Sequence, residues 1–71
     1  MLTYRLETKE NGHLIFLYFP EGNESAPGRV MLSDDDEKVL QESTDDFKQY
    51  YAMHALRGID RNSTNGTVAW Y

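Results

Sequence analysis

The sequence predicts an α+β domain, in which one helix packs on one face of an antiparallel sheet of four to five strands ordered ββ(ββ)αβ. Two observations support this fold class. Runs of alternating apolar residues flank Asn11-Gly12 near the start of the chain, and this pattern is typical of a β-hairpin. Residues 43–56 have the capping residues and the apolar spacing of one helix. No linker divides the chain, so we expect a single domain over residues 1–71.

The register of the first hairpin can be predicted residue by residue, because a two-residue type I′ turn at Asn11 and Gly12 aligns the two strands. The expected pairs are Glu10–His13, Lys9–Leu14, Thr8–Ile15, Glu7–Phe16, Leu6–Leu17, Arg5–Tyr18 and Tyr4–Phe19. Since side chains alternate between the faces of a strand, the face expected to form the core carries Leu2, Tyr4, Leu6, Ile15, Leu17 and Phe19. The second face combines charged residues of the first strand with three apolar residues of the second, namely Leu14, Phe16 and Tyr18.

Prolines and glycines in residues 20–28 predict a loop after this hairpin. Residues 29–33 then alternate in polarity, as expected of a third strand. Near the end of the chain, residues 67–71 predict a closing strand that ends in Trp70 and Tyr71. We expect both of these aromatic rings to be packed, because a frayed end would leave them in water.

Residues 33–43 allow two interpretations. Ser33 followed by three aspartates resembles the cap and the acidic first turn of a short helix. A second hairpin, with a fourth strand over residues 37–42, fits the apolar residues of the preceding strand better. We favour the hairpin, because Val39 and Leu40 alone give a helix no apolar stripe.

The predicted helix begins after a cap at Ser43 or Thr44 and continues to Leu56. At 100° per residue, one half of its circumference is expected to be buried, with Phe47, Tyr50, Tyr51, His54, Ala55 and Ile59. Asp46, Gln49 and Met53 fall outside this half. Gly58 indicates either a close approach of helix and sheet or a left-handed cap.

The net charge of −5 is concentrated in one segment. Residues 34–46 contain seven acids and one base, whereas the rest of the chain holds five acids and six bases. Phosphate binding normally needs a basic stripe, so we expect no direct binding of nucleic acid. An acidic block is typical of a solvated turn and of a helix start.

Composition also bears on other classes of protein. The chain has no cysteine, which excludes disulfides, thiolate metal sites and thiol nucleophiles. Its His, Asp and Glu residues have no recognisable metal-ligand spacing, so we expect no metal, no cofactor and no enzymatic activity. The sequence shows no basic and apolar leader and no apolar run long enough to span a membrane. We therefore expect a cytoplasmic protein without a membrane partner.

Three functional hypotheses follow from these observations. One helix covers only one sheet face, so the face with Leu14, Phe16 and Tyr18 is a candidate contact surface of a small non-enzymatic protein-interaction module. An exposed sheet edge is the other candidate surface, and a homodimer is one option. The alternative is an inhibitor that mimics nucleic acid through a candidate acidic surface of Asp34, Asp35, Asp36, Glu37, Asp45 and Asp46. The third is a minor enzyme or ligand-binding protein centred on His54, although a half-buried structural histidine explains that residue more simply.

Several short motifs also resemble those of a known group of proteins. They are Tyr18-Phe19-Pro20-Glu21-Gly22, Ala26-Pro27-Gly28, Asp46-Phe47 with Tyr51-Ala52 and His54-Ala55, and Val68-Ala69-Trp70-Tyr71. In these motifs the chain is similar to small uncharacterised proteins of Gram-positive bacteria and their phages or mobile elements. The resemblance spans nearly the whole chain and implies a bacterial or phage origin, and the group brings no known activity or site residues.

Overall fold

The structure is a computed structural model that describes residues 1–70. Its elements are β1 (Leu2–Glu10), β2 (His13–Pro20), β3 (Gly28–Leu32), β4 (Glu37–Gln41), α1 (Tyr50–Gly58) and β5 (Asn65–Val68). The strands form one antiparallel sheet in the order β4-β3-β2-β1-β5, and α1 packs on it. The predicted α+β fold with its ββ(ββ)αβ order is confirmed. The presence of β4 also confirms the second hairpin in place of a short helix.

The turn of the first hairpin is the one that the sequence predicts. Asn11 and Gly12 have φ angles of 52° and 79°, as a type I′ turn requires. The pairs nearest the turn are also confirmed, and they are Glu10–His13, Lys9–Leu14 and Thr8–Ile15. The local signal therefore determines the geometry of this end of the hairpin.

A β-bulge changes the register farther from the turn. The pairing shifts between Leu6 and Thr8, which leaves Glu7 as an extra residue in β1. Leu6 then pairs with Phe16, and Tyr4 pairs with Tyr18. The four pairs predicted for residues 4–7 are wrong. A bulge offsets the alternation of one strand against its partner, so Phe16 and Tyr18 share a face with Leu6 and Tyr4.

The core lies between this face of the sheet and α1. Its buried residues are Leu2, Tyr4, Phe16, Tyr18, Val30, Leu32, Ala52, Ala55, Ile59 and Val68. The rings of Tyr4 and Phe16 meet edge to face, with their centroids 5.6 Å apart. The predicted core is thus correct for β1 and wrong for β2, because Ile15, Leu17 and Phe19 lie on the opposite face of the sheet.

This opposite face, called the open face here, centres on Ile15, Leu17, Phe19 and Met31. Its apolar residues have their own cover. Arg29 pairs with Leu17 in the register of β2 and β3. Its guanidinium donates to both carboxylate oxygens of Glu7, at 2.7 and 2.8 Å. The guanidinium of Arg5 lies 5.2 Å from the centroid of the Phe19 ring. Phe19 and Met31 are buried, whereas Ile15 and Leu17 are half-buried, so charged side chains of the same chain shield part of this face.

Helix α1 begins later than the sequence predicts. The hydroxyl of Ser43 donates to the carbonyl of Ala26 and accepts the backbone N–H of Asp45, so it stabilises a loop and not a helix start. Gly58 ends the helix against Val68, where a Cβ atom would clash with the valine side chain. Of the two expectations for Gly58, the close approach of helix and sheet is confirmed.

The end of the chain differs in part from the expectation. Strand β5 lies earlier than the predicted residues 67–71. Trp70 follows it and packs against the helix, as expected, whereas Tyr71 lies outside the described residues. Within residues 1–70, no helix has the length and apolar character that crossing a membrane demands. The cytoplasmic location stays a prediction.

Candidate functional site

The carboxylate of Asp46 links the start of α1 to the centre of the sheet. Its Oδ1 accepts the backbone N–H of Tyr51 at 2.9 Å, and its Oδ2 accepts that of Ala52 at 3.0 Å. These N–H groups belong to the first turn, where they have no partner within the helix. The same Oδ2 accepts the hydroxyl of the fully buried Tyr18 at 2.8 Å. Asp46 therefore caps the helix from outside its regular N-cap position.

Three residues are inserted between this capping carboxylate and the first residue of α1. Two of them, Lys48 and Gln49, have φ angles of 55° and 62°. The left-handed region costs about 1–2 kcal/mol for each residue other than glycine. The third, Phe47, is 75% exposed. The prediction that Phe47 belongs to the buried half of the helix is therefore wrong, because the strained insertion holds its ring in solvent.

The ring of Phe47 forms one wall of a groove, called the aromatic groove here. The groove has a volume of about 660 Å³ and is lined by Asp45, Phe47, Lys48, Tyr50, Tyr51, Met53, His54 and Arg57. Its helical residues include Tyr50, Met53 and Arg57, which share one face of α1 because they are three or four residues apart. Tyr50 is 52% exposed and Met53 is 38% exposed. The groove therefore presents apolar side chains to solvent.

The inner side of the aromatic groove is fixed by a cluster of rings. Trp70 stacks on His54, with the ring centroids 3.8 Å apart and the planes 4° from parallel. The indole N–H of Trp70 donates to the hydroxyl of Tyr50 at 2.9 Å. Tyr51 meets Tyr50 edge to face at 5.6 Å. These contacts hold Tyr50 and His54 in place.

The charges that line the groove are mainly positive. Arg5, Arg29 and Arg61 each form an ion pair with a glutamate, but within residues 1–70 Arg57 forms none. The ammonium of Lys48 lies 5.3 Å from the ring centroid of Phe47. Asp45 is the acidic residue of the lining, and its carboxylate accepts a hydrogen bond from the side-chain amide of Asn23 at 2.8 Å.

The contact surface predicted from the sequence is not a surface. Phe16 and Tyr18 are fully buried in the core, and Leu14 is partly buried against it. The hydroxyl of Tyr18 accepts the backbone N–H of Ser43 besides donating to Asp46, and burial raises the pKa of this phenol far above its ordinary value. The correction follows from the bulge at Glu7, which brings these side chains under the helix.

The predicted acidic surface is divided by the fold. Asp34, Asp35 and Asp36 are exposed in the turn that precedes β4, whereas Asp45 and Asp46 follow the other end of that strand. A strand of five residues is about 16 Å long. Asp46 caps the helix, and Glu37 lies 3.6 Å from Arg61 in an ion pair. The structure does not bring these acids together, and no observation favours the mimicry of nucleic acid.

His54 serves as a stacking partner in this structure. Its ring meets that of Tyr50 edge to face and stacks on that of Trp70. Within the described part of the chain, no hydrogen bond joins it to a carboxylate. Residues 1–70 also contain no group of three His, Asp or Glu residues placed to hold a metal ion. The geometry gives His54 a structural role, and the absence of enzymatic activity stays a prediction.

Sequence reasoning placed Phe47 and Tyr50 in the core and so missed the aromatic groove. The left-handed residues Lys48 and Gln49 leave no trace in the sequence, because neither is the glycine or asparagine that normally marks such a position. One signal was available. Met53 falls outside the predicted buried face, so the sequence already places one apolar side chain of the groove on the exposed side of the helix.

Comparison with known proteins finds no relative of this chain. No protein-family model, no curated protein and no solved structure matches it. The resemblance to small proteins of Gram-positive bacteria and their phages therefore stays a prediction. The function of this chain must be argued from its own geometry.

Proposed function

We propose that this chain is a small non-enzymatic protein-interaction module whose contact surface is the aromatic groove. The observation that carries the proposal is the ring of Phe47, which is exposed to solvent next to two residues with a left-handed backbone conformation. Backbone strain of this kind concentrates at functional sites. A domain of this size has a stability of only about 3–5 kcal/mol, so two strained residues use a large fraction of it.

The residue types of the groove support the same conclusion. Aromatic residues, methionine and arginine are enriched at the centres of protein interfaces, and a few such residues supply most of the binding free energy. The groove combines Phe47, Tyr50, Met53 and Arg57 on one surface. Its volume of about 660 Å³ is in the range of pockets that hold a bound group. An apolar side chain of a partner protein fits this space.

A different protein is a better partner than a second copy of this chain. A symmetric dimer through the groove would bring two basic linings, each with Lys48 and Arg57, into one interface. Like charges that face each other across an interface disfavour the complex. Of the two surfaces that the sequence offers for a homodimer, the face of Phe16 and Tyr18 is buried. We therefore propose that the module binds a segment of another protein.

Selection from a displayed library of random peptides tests this function. Peptides selected on the wild-type chain should bind the Phe47→Ser variant at least about tenfold more weakly, as expected for the loss of an interface anchor. Leu40→Ser is the matched control, because Leu40 is 43% exposed on β4 and does not line the groove. Peptides that bind the two variants equally well would contradict the proposal, since their site would lie elsewhere.

A further inference from the structure

Building on the proposed function, we infer that the aromatic groove takes an acidic segment of a partner protein: an apolar or aromatic anchor with Asp or Glu about three residues away. The occupant is defined by charge complementarity. Lys48 and Arg57 line the groove, and within residues 1–70 neither has a carboxylate partner. An acidic peptide would supply the missing anions while its anchor enters the apolar part.

The positive lining differs from the charge of the chain as a whole. The net charge is −5, yet α1 itself contains no acid and carries Arg57 in its last turn. Asp45 is the one carboxylate among the lining residues of the groove, and it is hydrogen-bonded to Asn23. At an ionic strength of about 0.1 M, charges farther apart than about 10 Å are largely screened. Contacts at the groove therefore outweigh the long-range repulsion of an acidic partner.

The spacing within the groove sets the spacing expected in the partner. Phe47, Tyr50 and Met53 form the apolar part. Arg57 lies seven residues after Tyr50, and this corresponds to about 10 Å along the helix axis. An extended peptide covers about 10 Å in three residues. An anchor against Tyr50 thus places a carboxylate near Arg57 when the acid is about three residues away.

Three synthetic peptides of equal length test the inference. Each carries one central tryptophan in a Gly-Ser background, with Asp, Ser or Lys at the positions three residues to either side. Fluorescence anisotropy at about 0.1 M salt, where long-range repulsion is screened, gives their affinities. An exposed ion pair changes affinity by up to about fivefold. The Asp peptide is expected to bind about two- to fivefold more tightly than the Ser peptide, and the Lys peptide most weakly.

Charge reversal in the protein provides the second arm. Arg57→Glu should invert the preference, so that the Lys peptide binds more tightly than the Asp peptide. Lys38→Glu makes the same change of charge on β4, away from the groove, and should leave the order of the three peptides unchanged. Arg57→Gln removes this cation without adding an acid and leaves Lys48 in place. It should weaken the preference for the Asp peptide even if the reversed variant folds poorly.

The outcomes separate this inference from the proposed function. Equal binding of all three peptides, lost in Phe47→Ser, would overturn the acidic partner and leave the interaction module intact. Binding that does not depend on Phe47 would overturn both. A single-stranded oligothymidylate that binds at the groove more tightly than the Asp peptide would replace the protein partner with a nucleic acid.

Discussion

At the scale of single residues, Asp46 connects the two layers of the molecule. One carboxylate accepts two N–H groups of α1 and the hydroxyl of Tyr18. The hydroxyl of Tyr18 also accepts the N–H of Ser43, so the loop, the helix and the sheet meet at this pair. The position of Phe47 depends on the same contacts, because Asp46 directly precedes it.

Replacing Asp46 should therefore destabilise the fold. A lost helix cap costs about 0.5–2 kcal/mol, and a buried hydroxyl left without an acceptor costs about 1–3 kcal/mol more. We expect Asp46→Ala to lower the free energy of unfolding by about 2–4 kcal/mol, measured by urea denaturation. Asp45→Ala is the control, since its hydrogen bond to Asn23 is exposed. A control variant as unstable as Asp46→Ala would show that the cap is not the cause.

At the scale of the elements, the first hairpin depends on two residues with positive φ. Gly12 has a φ of 79°, and a Cβ atom there would meet no other atom within 4 Å. Gly12→Val should therefore destabilise the chain through backbone strain alone, by about 1–3 kcal/mol. Thermal unfolding measures this loss. An unchanged melting temperature would contradict the type I′ turn.

The bulge at Glu7 predicts which residue of β1 can be deleted without loss of the fold. Deleting Glu7 leaves the observed pairs Leu6–Phe16 and Thr8–Ile15 adjacent, so every side chain keeps its face. We expect this deletion to retain the fold. Deleting Arg5 in the same strand moves Tyr4 and Leu2 to the open face, because one residue of slip reverses the alternation. Circular dichroism should show a folded first variant and an unfolded second one, and the reverse result would refute the bulge.

The elements also explain how much of the fold the sequence predicts. Local signals such as Asn11-Gly12 predict the hairpins correctly, whereas the signals of the helix predict its presence but not its start at Tyr50. The bulge has none, because Glu7 is an ordinary strand residue and β2 is apolar on both faces. The face of β2 that meets the helix is decided by pairing over the whole sheet. The aromatic groove also lacks a local signal, because the position of its exposed ring depends on the cap at Asp46.

At the scale of the whole molecule, an ion pair on the open face joins β3 to β1 across the intervening strand β2. It is formed by Arg29 and Glu7. The hydrogen bonds from Arg29 hold the pKa of Glu7 below its ordinary value of 4.5. The stability from this pair is therefore complete above pH 4.5 and is lost as the pH falls through the lowered pKa. Between pH 7 and pH 3, the melting temperature should fall less in the variants Glu7→Gln and Arg29→Gln than in the wild type. A steeper loss in either variant would contradict the role of the pair.

Substitution by lysine should have opposite effects in the core and in the aromatic groove. Phe16 is fully buried beneath α1, whereas Phe47 is 75% exposed. Replacing a buried phenylalanine with alanine costs about 3–5 kcal/mol, and an unpaired buried charge adds a further penalty. Since the whole stability of a domain of this size is about 3–5 kcal/mol, Phe16→Lys should unfold the chain at room temperature. Phe47→Lys should leave it folded.

Circular dichroism and light scattering, at matched concentrations of the wild type and both variants, measure these outcomes together. The wild type should be a monomer, because the residues of the open face are shielded by Arg5 and Arg29 of the same chain. Phe47→Lys should have the same mass and spectrum, since its side chain touches little of the core. A folded Phe16→Lys variant with half the mass of the wild type would place Phe16 in a dimer interface, and the bulged register that buries it would then be wrong.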